Sequence, residues 1–166
     1  MGTLAREMSP GADEVLPELI RAYADEWFGH YNYYFVSRMV AGSSAESVSA
    51  FLREKSQDAL SRADRLASRI IELGGTPVPK LTELVEAATD KPFKLPEDLS
   101  DVRSLLEAVL DAERTSMRTH ADIYANTRDA DPLTAALAIE LLREATQGEQ
   151  KLERLLNDAA PHKTGT

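Results

Sequence analysis

Residues 25–42 read DEWFGHYNYYFVSRMVAG. Six of the chain's ten aromatic residues fall in the nine positions from Trp27 to Phe35, with Tyr23 just before them. A carboxylate, Glu26, stands at the head of the run, and a histidine, His30, sits inside it. Extending the stretch backwards, Leu16, Leu19, Ile20, Tyr23 and Trp27 recur at three- and four-residue intervals, the period of an amphipathic helix. Glu26 and His30 are four apart and share one helical face, which Tyr33 continues one turn later. An aromatic stripe of this kind is ordinary core. A carboxylate on the same face is not, because a buried charge costs several kcal/mol unless it is paired or metal-bound, so Glu26 needs a partner.

The rest of the chain is punctuated by proline and glycine into three more segments of the same kind. The first segment runs from about Asp13 to Ala41, with Pro17 in its first turn and Gly42 as its stop. The second opens at SSAE, where Ser43 and Glu46 have the spacing of a capping box, and runs to Leu73 before Gly74 and Gly75. The third starts near Ser100, a good N-cap, and reaches about Thr127. The fourth opens at Asp131–Pro132, an N-cap followed by an N1 proline, and reaches about Asn157. Leu137, Leu141, Leu152, Leu155 and Leu156 carry its apolar face. No stretch alternates as a strand, so the expected class is all-α.

Connection lengths then set the topology. About two residues join segments one and two, and about four join three and four, so each pair is an antiparallel hairpin. Some 25 residues separate the hairpins, with Pro77, Pro79, Pro92 and Pro96 among them and a candidate short helix at TELVEAATD. A linker that long can travel the length of a bundle. The expected organisation is a tail over 1–12, a four-helix bundle over 13–158 with its crossover at 75–99, and a second tail over 159–166.

Composition excludes several functions. The chain has no cysteine, which rules out disulfides, thiolate catalysis and iron–sulfur or zinc–thiolate sites. Its net charge of −9, with little basic character in either tail, argues against duplex DNA as a partner. No apolar run is long enough to span a bilayer and no secretory h-region follows Met1, so a cytoplasmic protein with no membrane partner is expected. There is no glycine-rich phosphate loop and no readable nucleophile–His–acid set.

DEWFGHYNYYFVSRMVAG resembles the first helix of ferritin-like proteins of the bacterioferritin and archaeal-type Dps-like group. RADRLASRIIELGGTP, residues 62–77, resembles the end of their second helix, and IELLREATQGEQKLERLL, residues 139–156, their fourth. The resemblance spans roughly residues 13–158 and implies a ferritin-like four-helix bundle of two hairpins joined by a long crossover. It also implies a diiron centre in which helices one and three each give a Glu, and helices two and four each give a Glu-x-x-His.

Carried over position by position, Glu26 and Glu113 (in LDAERTSM) match the two single carboxylates. The Glu-x-x-His of the second helix falls on Ala59 and Arg62, and that of the fourth on Ala145 and Gly148. No shift of register restores it, because the only histidines are His30, His120 and His162, none of them in the second or fourth segment. The position of a haem-binding Met carries Leu60.

The leading expectation is therefore a degenerate diiron site with no cofactor, in which Arg62 bridges Glu26 and Glu113 in a central ion-pair cluster. Three other arrangements stay open. Arg62 snorkels outward and leaves the two acids hydrated or protonated; Glu26, His30, Glu113 and His120 build a displaced iron site; or Ala59, Ala145 and Gly148 leave a cavity for a small organic ligand. Against the displaced site, antiparallel first and third helices carry the two histidines away from the glutamates in opposite directions. The expected function is a non-catalytic oligomeric subunit or interaction protein, with iron storage or ferroxidase activity as the alternative. The resemblance implies a homo-oligomer, a dimer at least and a 12- or 24-subunit cage at most. Trp27, Phe28, Tyr31, Phe35 and Phe51 are too many aromatics for one bundle stripe, so some are expected in subunit contacts.

Overall fold

A computed structural model describes residues 7, 9, 11–42, 45–89, 96–98 and 100–158. Five helices make up the described chain, with no strand among the described residues: α1 Ala12–Met39, α2 Ala45–Glu72, the short α3 Leu81–Ala87, α4 Val102–Thr127 and α5 Pro132–Asp158. The four long helices form a ferritin-like four-helix bundle, and α3 lies within the crossover.

The helix ends follow local chemistry. Val40 N–H closes α1 on Val36, and Gly42 then takes φ +100°, a value glycine reaches without Cβ strain. At the end of α2, Gly74 takes φ +89°, and the N–H groups of Leu73, Gly74 and Gly75 satisfy the carbonyls of Arg69, Ile71 and Ile70. Asp131 caps α5 by accepting from Thr134 N–H at 3.1 Å, with Pro132 at the first helical position.

Two local expectations come out differently. Because α1 starts at Ala12, Pro17 lies inside the helix rather than in its first turn. The cap of α4 is Asp101, which accepts from Ser104 N–H, while Ser100 turns its own N–H and hydroxyl to Asp98. The box that starts at Ser43 lies outside the described residues, as do Pro92 in the crossover and His162 in the tail.

Cross-helix pairs give the directions. Between α1 and α4, Glu18 meets Asn126 and Tyr33 meets Glu113, so residue numbers rise on one helix as they fall on the other. Between α2 and α5, Glu54 meets Lys151 and Arg65 meets Glu144 in the same antiparallel sense. Each helix sends one stripe inward. At one end of the bundle Val36, Phe51, Leu52, Leu106 and Leu152 pack in one apolar cluster; at the other, Leu19, Leu66, Ile70, Ile123 and Leu141 form a second. Full burial of each such side chain contributes about 1.5–3 kcal/mol.

Between the two clusters the stripes change character. Residues 26 on α1, 55 and 62 on α2, 113 and 120 on α4 and 148 on α5 replace the apolar period with charged and small groups, all of them buried. A further buried ion pair ties the far end of α2 to α5. There Arg69 donates to Asp131 at 2.8 Å, to the Thr134 hydroxyl at 2.8 Å and to the Ser9 hydroxyl at 3.1 Å.

Candidate functional site

The central layer consists of two charge pairs side by side. In the first, Arg62 Nη2 lies 2.8 Å from Glu26 Oε2, with the side chains only 2% and 5% exposed. The other oxygen of Glu26 accepts from the Ser116 hydroxyl at 3.1 Å and faces His120 Nε2 at 3.1 Å. An ionised carboxylate can only accept, so the contact assigns the proton to Nε2. Nδ1 of His120 and Nε of Arg62 are buried without a hydrogen-bond partner. Burial by itself pushes the Glu26 carboxyl up, but the Arg62 guanidinium and the His120 hydrogen bond outweigh it and hold the pKa at about 2. Burial likewise disfavours the Arg62 charge, and the Glu26 carboxylate more than restores it, raising the guanidinium pKa.

In the second pair, Lys55 Nζ donates to Glu113 Oε2 at 2.7 Å, and the Tyr33 hydroxyl donates to Oε1 at 2.9 Å. Burial and the adjacent Glu113 charge both push the Tyr33 phenol well above its ordinary value. The expected three-residue cluster is thus divided. Arg62 is bonded to Glu26, and Glu113 is held instead by Lys55, a residue the sequence argument did not single out. Its position carried the signal: 48, 52, 55, 59, 62, 66 and 69 are one inward stripe of α2, so Lys55 lies on the same buried face as Arg62.

The positions matched to the missing ligands explain how Lys55 fits. Ala59 and Ala145 are fully buried small side chains. Gly148 faces the second pair so closely that a Cβ built on it would lie 2.6 Å from Lys55 Nζ and 2.8 Å from Glu113 Oε2. The space that a side chain at 148 would occupy holds the ammonium group.

The two histidines do not converge. His120 joins Glu26, whereas His30 turns to α2, where its Nδ1 lies 2.9 Å from both the hydroxyl and the carbonyl of Ser56 and its ring meets Trp27 edge-on. This separation follows from the antiparallel run of α1 and α4. No group of three or more His, Cys, Asp or Glu among the described residues is placed to hold a metal ion.

A cavity of about 290 Å³ lies against this layer between α1 and α4. It is not where the sequence suggested, since Ala59, Ala145 and Gly148 are absent from its wall. Glu26, Arg62, Glu113 and His120 border it, together with the small residues Ala22 and Ala112.

Of the crowded aromatics, Phe51 is buried and Trp27 and Phe28 are half-buried. Tyr31 and Phe35 stack on each other with centroids 6.4 Å apart and face outward, 63% and 39% exposed, beside the exposed Tyr34 and Met39. No helix among the described residues is long and apolar enough to cross a membrane.

Comparison with known proteins gives a concordant result. Residues 18–160 match the ferritin-like domain. The chain is 28% identical over 144 residues to a DNA protection during starvation protein of Pyrococcus furiosus, covering 87% of this chain and 77% of that one. Its structure is similar to that of a dodecameric thioferritin, a bacterioferritin-related protein of Bacteroides fragilis, with a TM-score of 0.88 and 27% identity over 95% of this chain and 94% of that one. An archaeal Dps homologue of Halobacterium salinarum shares the fold, with a TM-score of 0.81 and 22% identity over 93% and 85% of the two chains.

Proposed function

The chain belongs to the ferritin-like family, and from that premise we propose that it is a non-catalytic, oligomeric member in which two protein cations stand in for the metals of a diiron centre. The observation that carries this reading is the pairing of Glu26 with Arg62 and of Glu113 with Lys55 at 2.8 and 2.7 Å. All four carboxylate oxygens already have partners, from Arg62, His120 with Ser116, Lys55 and Tyr33. A divalent cation entering this layer would have to displace hydrogen bonds from those oxygens and would sit beside a guanidinium and an ammonium in a poorly screened interior. The donor set therefore does not fit two metals: it offers two carboxylates and one imidazole where the family pattern has four carboxylates and two imidazoles.

The alternative, metal oxidation at displaced ligands, has one contact in its favour, the approach of His120 to Glu26. His30, the other imidazole it needs, is engaged with Ser56. Aerobic Fe(II) oxidation followed optically, together with metal analysis of protein purified from iron-supplemented cells, decides between the two. The non-catalytic reading expects no fast oxygen-dependent signal and no stoichiometric metal. A burst of Fe(III) formation that is lost on Glu113→Ala overturns it.

Assembly is the second part of the reading. The Bacteroides relative is dodecameric, and the outward aromatic patch of α1 is the kind of surface that subunit contacts cover. We assign this chain a homo-oligomer, with a dimer as the smallest form, located in the cytoplasm and without DNA as a partner. A protein of this kind would act through its assembled surface rather than through redox turnover at each bundle centre.

A further inference from the structure

We propose that the cavity between α1 and α4 is a binding site for a small neutral amide, a primary carboxamide with a short aliphatic stem. The inference rests on reading the central layer as charge-paired, because that pairing decides what the floor of the cavity presents. Among the described residues, Arg62 is the one wall residue from α2; the others belong to α1 and α4. Since α2 packs on α1 and α5, behind the cavity, Arg62 reaches the wall through its side chain. Its guanidinium, 2.8 Å from Glu26, therefore lies at the floor. A guanidinium carries five N–H donors and no acceptor. Nη2 is directed at Glu26, and Nε has no hydrogen-bond partner among the described residues. A buried donor left unmatched is costly, so the floor favours a ligand that brings an acceptor.

The sides have the opposite character. Each wall hydroxyl has already committed its proton: Thr115 to the Asp111 carbonyl at 3.1 Å, Thr119 to the Thr115 carbonyl at 3.2 Å, Ser116 to Glu26 at 3.1 Å and Tyr33 to Glu113 at 2.9 Å. A hydroxyl whose proton is spent has only lone pairs to offer, and the wall carboxylates likewise only accept. The sides therefore favour a ligand that brings donors. A primary carboxamide carries both on one head group, a carbonyl oxygen for the floor and two N–H groups for the sides. A carboxylate of the same size would bring no donor and would set a charge beside Glu26 and Glu113. An ammonium would bring no acceptor and would set its charge against Arg62. Like charges in a poorly screened interior repel, and a neutral head group avoids both contacts. The methyl groups of Ala22, Ala108 and Ala112 and the ring of Phe28 receive the stem. A volume of about 290 Å³ is at the small end of ligand pockets, which run from roughly 300 to 1,000 Å³, so the stem is short.

The test uses the full-length protein and n-butyramide as the probe, followed by calorimetry and saturation-transfer NMR at constant ionic strength. Sodium butyrate and n-butylammonium chloride, which change the head group and its charge on a stem of similar length, are the controls. Saturable binding of butyramide at one site per chain is expected, with each ion binding at least tenfold more weakly. Thr119→Val keeps the shape of the wall and removes one acceptor, and should weaken butyramide at least fivefold. Ala112→Phe should fill the cavity and weaken it at least twentyfold, its fold being checked by circular dichroism. If Ala112→Phe does not fold, Thr119→Val and the head-group series carry the test. No saturable binding, binding of either ion as tight as that of butyramide, or a Thr119→Val protein that binds as wild type each overturns the proposal. Metal analysis of the same preparation separates the two claims. Stoichiometric metal at Glu26 and Glu113 removes the charge-paired reading and the cavity proposal with it, whereas metal-free protein that ignores butyramide removes only the cavity proposal.

Discussion

Lys55 and Gly148 occupy one another's space: the ammonium of Lys55 sits 2.6 Å from where the Cβ of residue 148 would begin, and only because that residue is glycine can the pair with Glu113 close. Gly148→Ala should therefore destabilise the protein. Its Cβ meets the flexible end of a lysine, but that end is buried and can move only by giving up Glu113. Overpacking costs about 1–3 kcal/mol, and the better helix propensity of alanine returns about 1 kcal/mol of it. Denaturant unfolding should show a net loss. The same geometry predicts that Ala59→Glu, Arg62→His, Ala145→Glu and Gly148→His together fail to load iron while Lys55 remains, and load it once Lys55→Leu is added. Iron loading by the fourfold variant with Lys55 in place would refute the steric argument.

Arg62 is the second point of leverage. Arg62→Ala leaves Glu26 with only Ser116 and His120 in a core position, and breaking a buried pair by removing one partner costs about 3–5 kcal/mol. Replacing both partners, as in Glu26→Leu with Arg62→Met, removes the buried charge altogether and should lie closer to wild type than either single change. An Arg62→Ala protein with an unchanged unfolding midpoint would show that the guanidinium contributes nothing at the centre.

Acid sensitivity follows from the depressed Glu26 carboxyl. Its folded pKa is about 2, against an ordinary 4.5. The stabilisation is therefore present above the unfolded value of 4.5 and is lost as pH falls towards 2. The shift corresponds to stability on the order of 3 kcal/mol. Asp131, lowered by Thr134 and Arg69 against the opposing effect of burial, adds in the same direction. Urea unfolding at stepped pH should show the decline beginning below pH 5, and Glu26→Gln should flatten it. A wild-type profile flat to pH 2.5 contradicts the assignment.

Assembly should depend on the outward face of α1. Multi-angle light scattering is expected to give a mass above that of a monomer at micromolar concentration. Tyr31→Glu with Phe35→Glu, which places two charges in the stacked pair, should reduce that mass while leaving the helical content unchanged. A wild-type monomer in the same measurement ends the oligomer proposal.

Duplex DNA should not bind at physiological salt, despite the name of the Pyrococcus relative, because a net charge of −9 repels phosphate. The check is a gel shift at stepped salt. A retarded band whose intensity falls steeply as salt rises would reverse this prediction.

The sequence by itself determined the helices, their order and the hairpin–crossover–hairpin topology, because period, caps, glycine stops and loop lengths are local properties written along the chain. It also determined that the Glu-x-x-His pairs could not exist, since no histidine stands in α2 or α5. Only the tertiary structure decided which cation meets which carboxylate. Lys55 and Glu113 are 58 residues apart, and Glu26 and His120 are 94 apart. Their pairing depends on how α2 and α4 are rotated about their axes and on the absence of a side chain at Gly148. A helical period places a residue on a face to within about one turn; it does not say which of two acids across the core a long flexible side chain will reach. The separation of His30 from His120 and the cavity beside Glu26 have the same origin: both are products of antiparallel packing between α1 and α4, which no single helix encodes.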